Sequence, residues 1–87
     1  MKANMWFLYV VQCCDKSYYA GVTTDIKRRL HEHNTTRRGA KYTKTRRPVV
    51  LIYQQEFTNR SEAQRAEYAF KQLRRKDKDK FICSLPE

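Results

Sequence analysis

The eight residues from Met5 to Gln12 (Met-Trp-Phe-Leu-Tyr-Val-Val-Gln) constrain this chain more than any other stretch. A strand with one wet face alternates apolar and polar residues. An unbroken apolar run of this length therefore predicts a strand covered on both faces. A polar turn follows at Cys13 to Ser17, and Tyr18 to Val22 reads as a second strand, making an antiparallel hairpin. The cover has to come from the rest of an 87-residue chain, which is one small domain over residues 1–87.

Thr24 or Asp25 caps a helix that runs to about Asn34, with Asp25 also suited to the positive end of the helix dipole. The segment from Thr35 to Arg47 is polar and basic, contains Gly39, and reads as a long loop. Pro48 opens a third strand, Val49 to Phe57. Asn59 or Ser61 caps a second helix, with Ser61 and Gln64 spaced for a capping box, and this helix runs to about Lys76. A short third helix covers Asp77 to Ser84 and ends at Pro86. The order β-β-α-β-α(-α) predicts an α/β fold, a small three-stranded antiparallel sheet flanked by helices.

Charge narrows the partner. There are 19 Lys and Arg against 9 Asp and Glu, a formal net charge of +10, which attracts polyanions and makes nucleic acid the expected ligand. A membrane is not expected, since no apolar run approaches the roughly 20 residues of a span and no signal-like or anchoring segment precedes the first strand. Cys13, Cys14 and Cys83 form neither a disulfide framework nor a C-x-x-C metal pattern. They fit small hydrophobes or exposed thiols in a reducing cytoplasm. No small-molecule cofactor is expected.

Helical phase separates candidates from filler. With Ile26 at the centre of the apolar stripe, Leu30 lies about 40° to one side, while His33 lies about 20° and Arg29 about 60° to the other. Arg28 points away, and its i,i+4 partner Glu32 makes it a solvent pair. Arg29 and His33 therefore face the sheet. A guanidinium there needs a buried carboxylate or a phosphate. On the second helix Ala63, Ala66, Phe70 and Leu73 form the buried stripe, and Glu67 falls inside it. A carboxylate on such a face is ion-paired to Lys71 at i+4, bound to a metal, or paired with Arg29.

These residues resemble an ordered family pattern. Phe7-Leu8-Tyr9 stands where GIY-YIG nucleases carry Gly-Ile-Tyr, and Tyr19-Ala20-Gly21 stands where they carry Tyr-Ile-Gly. The segment from Gly21 to His33 resembles the family's Gly-x-Thr/Ser…Arg…His stretch, and Glu67 sits on the next long helix where the family has a glutamate. The resemblance is closest to the stand-alone YhbQ-like branch, through Gly39 to Thr43 (Gly-Ala-Lys-Tyr-Thr) and Arg46 to Pro48. Phe7, Leu8 and Ala20 depart from the pattern at positions that affect packing more than chemistry.

The resemblance implies a GIY-YIG fold and a metal-dependent endonuclease that hydrolyses phosphodiesters, with DNA a better expectation than RNA. It implies Tyr9, Tyr19, Arg29, His33 and Glu67 as catalytic residues, with Glu67 holding one Mg2+ or Mn2+. The sequence has no carboxylate cluster for two metals, whereas one carboxylate suits a single ion that keeps its waters. Arg29 would stabilise the charged phosphorus centre. Either Tyr9 or Tyr19 serves as base once a nearby cation lowers its pKa. His33 either relays the phenolic proton or orients the tyrosine. Gly21 would let backbone approach substrate. Lys41, Lys44, Arg46 and Arg47, with Tyr42 interleaved, form a backbone-binding loop that Arg37 and Arg38 extend, and Tyr42 either stacks on a base or is simply solvated. A partner protein for targeting is expected of so small a chain. The alternative is a binding module that grips phosphate in the same cleft without cutting. One geometric condition follows: Tyr9 and Tyr19 share a face if a three-residue loop centred on Asp15 joins the strands, and not if the loop has two residues, unless a bulge intervenes.

Overall fold

The structure is a computed structural model that describes residues 5–35 and 41–83. Three strands, β1 (Trp6–Gln12), β2 (Tyr18–Thr23) and β3 (Val50–Phe57), form an antiparallel sheet in the order β2-β1-β3. The apolar run is the central strand, and Leu8, Tyr9, Val10 and Val11 are all buried. Helix α1 (Ile26–Thr35) covers one face with Ile26 and Leu30, against Tyr9, Val11, Cys13 and Val49. Helices α3 (Arg60–Gln72) and α4 (Arg75–Cys83) cover the other, where Phe70 joins Leu8, Val10, Ala20 and Tyr53. The predicted fold class holds.

The hairpin closes as its geometry required. Cys13 N–H donates to the Ser17 carbonyl (2.8 Å) and Lys16 N–H to the Cys13 carbonyl (2.9 Å), leaving Cys14, Asp15 and Lys16 as a three-residue loop. Lys16 takes the left-handed position at φ 73°, the conformation that ends such a loop. Asp15 braces the turn by accepting from the Ser17 N–H and hydroxyl. Pairing Tyr9 with Gly21 and Val11 with Tyr19 follows.

The structure corrects some local expectations and decides between others. The segment read as a loop contains a short helix, α2 (Lys41–Lys44), which packs against α1 with Thr43 buried. The cap of α3 is Asn59, whose side chain accepts from the Glu62 N–H at 2.9 Å; a Ser61–Gln64 box is not used. That helix stops at Gln72 rather than near Lys76, because Leu73 turns extended (ψ 146°) and points with Phe81 into the same apolar cluster. A straight helix would carry Phe81 off the sheet. The third helix accordingly starts at Arg75, not Asp77. Finally, β3 carries a bulge: Val10 pairs with Tyr53 but Val11 with Leu51, so Ile52 and Tyr53 both pack on the α3 side while Leu51 and Val49 face α1. Arg37, Arg38, Gly39, Ser84 and Pro86, singled out above, lie outside the described residues.

Candidate active site

Residues directly opposite across an antiparallel pair project from one face. Tyr9 and Tyr19 therefore both stand on the side covered by α1, Tyr9 on the central strand and Tyr19 on the β2 edge strand. The Tyr9 ring lies flat across Gly21: a Cβ at that glycine would sit 2.5 Å from the phenol oxygen and 2.8 Å from Cζ. The room that Gly21 leaves is thus filled by Tyr9, a reason for the glycine distinct from substrate approach.

Helix α1 supplies the next layer. Asp25 caps it by accepting from the Arg28 N–H at 3.0 Å. Phase then puts Arg28 outward (58% of its side chain exposed) and Arg29 inward (25%), as predicted. Glu32 pairs with both arginines, more closely with Arg29 (2.9 Å) than with its expected partner Arg28 (3.8 Å). The i,i+3 spacing signals the Arg29 pair, and Glu32, with 14% of its side chain exposed, is less open to solvent than expected. His33 is fully buried. Its Nε2 lies 2.7 Å from the Tyr9 hydroxyl and its Nδ1 3.0 Å from the Thr43 hydroxyl on α2. Thr43 carries no sequence signal beyond its place in the Gly39 to Thr43 segment.

Burial sets the proton states. It pushes Tyr9 up to about 12, against the opposing pull of the Arg29 guanidinium, which hydrogen-bonds the phenol oxygen. The cation expected to lower a tyrosine is present but outweighed. Burial likewise pushes His33 down to about 4, with Arg29 and then Arg47 adding repulsion and Glu32 opposing. Both groups are neutral through the physiological range.

Tyr19 sits edge-on to the His33 ring (centroids 5.3 Å apart) and stacks on Tyr42 (5.9 Å). Glu67 reaches the same neighbourhood from α3. It is near enough to add to the field on Tyr9, is one-fifth exposed, and is ion-paired to Lys71 at 2.7 Å. The Lys71 ammonium in turn lies 5.9 Å from the Tyr19 ring centre. Of the three partners open to Glu67 in the sequence, the structure fills the lysine. An apolar groove of about 390 Å3, lined partly by Leu8, Phe57, Ala66 and Phe70, opens on the opposite face and contains none of these groups.

The basic segment divides. Lys41 and Lys44 are exposed on α2 beside Tyr42. Arg46 lies over the Tyr42 ring at 3.9 Å and pairs with Asp15 at 3.1 Å, tying α2 to the hairpin turn. Arg47 donates to the carbonyls of His33 and Glu32 at the end of α1. Both arginines are engaged in the fold, leaving the two lysines as the water-facing cations among the described residues of this segment.

Two tyrosines, a guanidinium, an imidazole and a carboxylate converging from β1, β2, α1 and α3 define a GIY-YIG domain. The family model described as the GIY-YIG catalytic domain matches residues 5–80, and the chain belongs to that family. Within it the relatives are UPF0213 proteins, the stand-alone branch. The UPF0213 protein lin0209 of Listeria innocua is 55% identical over 86 residues, covering 99% of this chain and 94% of the relative. The UPF0213 protein YazA of Bacillus subtilis is 51% identical over 82 residues, covering 94% of this chain and 82% of the relative. The solution NMR structure of the protein EF2693 from E. faecalis superimposes with a TM-score of 0.65 at 46% identity, covering 97% of this chain and 90% of that one. No helix of the described residues is long and apolar enough to cross a membrane.

Proposed function

We propose that this protein is a metal-dependent endonuclease hydrolysing phosphodiester bonds in DNA, in the cytoplasm, with the site centred on Tyr9. The reading rests chiefly on the buried Tyr9–His33 hydrogen bond beside the Arg29 guanidinium: a proton acceptor and a phosphate-binding cation on one face of a strongly basic domain.

The chemistry follows from those positions. A water oxygen attacks phosphorus and the bond to the leaving oxygen breaks. As the water gives its proton to the Tyr9 oxygen, Tyr9 passes its own to Nε2 of His33, so no free phenolate forms; the buried ring, with a pKa of about 4, holds that proton only transiently, and the negative charge of a bound phosphate would stabilise the imidazolium. The imidazolium, being fully buried, then returns the proton through the Tyr9 hydroxyl to the leaving oxygen or to solvent. Arg29 stabilises the charge on the phosphoryl oxygens. Tyr19 holds a phosphate oxygen through its hydroxyl, and Lys41 and Lys44 hold flanking phosphates.

Among the described residues no three His, Cys, Asp or Glu side chains are grouped as metal ligands. The donor set suits a magnesium or manganese ion that keeps most of its water and uses one carboxylate, Glu67, with substrate oxygens. Such an ion would supply charge neutralisation at the leaving oxygen.

A second reading, a binding module that does not cut, is favoured by one observation: Glu67 is ion-paired to Lys71. The two readings separate on supercoiled plasmid, single-stranded DNA and RNA incubated with Mg2+ or Mn2+, beside Arg29→Ala and Glu67→Gln. Nicking by the wild type that both variants abolish supports the nuclease. Unchanged nucleic acid on every substrate, with binding retained in Glu67→Gln, supports the module.

A further inference from the structure

We infer that His33 is held as the Nδ1–H tautomer and that Thr43 is the positioning residue that holds it, aiming an unprotonated Nε2 at Tyr9. A neutral imidazole carries one N–H, so one of its two ring nitrogens donates and the other accepts. The neighbours decide which. The Tyr9 hydroxyl is buried and has two partners, Arg29 and His33. A guanidinium has five donors and no acceptor, so the tyrosine proton cannot go to Arg29. It goes to Nε2, 2.7 Å away, because a buried hydroxyl proton left without an acceptor carries the full desolvation penalty of the group. Nε2 is then the acceptor and Nδ1 carries the hydrogen. Nδ1–H points at the Thr43 oxygen, 3.0 Å away, which accepts it.

The hydrogen bonds thus run in one direction, from Arg29 to Tyr9 to His33 to Thr43. The other tautomer would direct an N–H at Tyr9 and leave its proton nowhere to go during water activation. Thr43 is buried on α2, a four-residue helix, and the residue before it on that helix, Tyr42, stacks on Tyr19. Consecutive residues of α2 therefore steady the two catalytic neighbours of Tyr9. The catalytic consequence rests on the hydrolase reading; the tautomer does not.

The test reads the ring nitrogens directly. In 15N-labelled protein at pH 7, carrying His31→Gln so that His33 is the sole histidine, Nδ1 is expected to give the protonated signature and Nε2 the unprotonated one. Thr43→Val, which keeps the shape and removes the oxygen, is expected to shift both signals toward the other tautomer, and Thr43→Ser to restore them. On a cleaved substrate, Thr43→Val is expected to lower kcat by roughly 10- to 100-fold with KM little changed, and Thr43→Ser to recover most of it. A wild-type Nε2–H signature overturns the inference, as does a Thr43→Val protein with unaltered nitrogen signals. Altered signals with unchanged kcat overturn the role of Thr43 in catalysis. Absence of cleavage by the wild type overturns the hydrolase reading instead, and the nitrogen signals still decide the tautomer.

Discussion

Replacing Gly21 by alanine tests the tightest contact in the site. In an ordinary strand this change is favourable by about 0.5–1 kcal/mol, because glycine loses the most backbone freedom on folding. Here the new methyl would lie 2.5 Å from the Tyr9 oxygen, 2.8 Å from Cζ and 3.0 Å from Cε2. Reaching an ordinary contact of about 3.4 Å moves the phenol by nearly an ångström. The ring has nowhere to go, being buried between Gly21 and His33, 2.7 Å from its hydrogen-bond partner. Overpacking of this kind costs about 1–3 kcal/mol, and a stretched or lost buried hydrogen bond adds about 1–3 kcal/mol. After the backbone gain, Gly21→Ala is expected to destabilise by about 2–4 kcal/mol. For a domain of this size that lowers Tm by roughly 10–20 °C. Urea titration and thermal melting measure it. Adding Tyr9→Phe removes the 2.5 Å clash but not those at Cζ and Cε2, so the double variant should be about 1 kcal/mol more stable than the two single effects summed. A Gly21→Ala protein at least as stable as wild type would refute the claim that Tyr9 is rigidly seated there.

Lys16→Gly is expected to stabilise by about 1 kcal/mol in urea titration, since Lys16 occupies φ 73° in the hairpin loop where glycine has no steric cost. Asn34→Ala should destabilise by about 2–4 kcal/mol, because the Asn34 amide bonds both the N–H (2.8 Å) and the carbonyl (3.1 Å) of Val49, which is buried; a melting shift below a few degrees would contradict this. Stability should also depend on pH through His33. Its folded pKa, about 4, lies below the unfolded 6.5, so the unfolded chain binds the extra proton first as pH falls. Stability contributed by the neutral ring is complete above 6.5 and is lost toward pH 4, by about 3 kcal/mol in all, and His33→Gln should flatten that limb. Tyr9 acts at the other end: its raised pKa of about 12 means stability is lost as pH climbs from 10 through 12, so Tyr9→Phe should flatten the alkaline limb.

The fold was legible where one residue pattern had one physical solution. Met5 to Gln12 had to be doubly covered, and it is the central strand. The phase of α1 chose Arg29 over Arg28 and His33 over His31, and burial follows that choice. The misread parts are those where tertiary contact decides between equal local options. Nothing in Val49 to Tyr53 says that Ile52 and Tyr53 turn to one face, because every residue of that run is apolar and only the bulge assigns sides. Nothing in Leu73 itself stops a helix; it does so because Phe81 must return to the same cluster. Helix α2 is too short to propagate by itself and exists through Thr43 under His33 and Tyr42 on Tyr19.

The site depended on a single count of loop residues. With Cys14, Asp15 and Lys16 between the strands, Val11 faces Tyr19 and both tyrosines stand over α1. One residue fewer would shift every cross-strand partner by one. Tyr18 would then take the place beside His33, and Tyr19 would turn toward the Phe70 cluster, where Tyr18 now bonds Asp79 and packs against Phe70. The register would also remove Gly21 from beneath Tyr9 and put a side chain there, closing the slot that lets the phenol reach His33. The same pairing that unites the two hydroxyls therefore makes room for one of them, and a lysine held at positive φ is the local cost of that register.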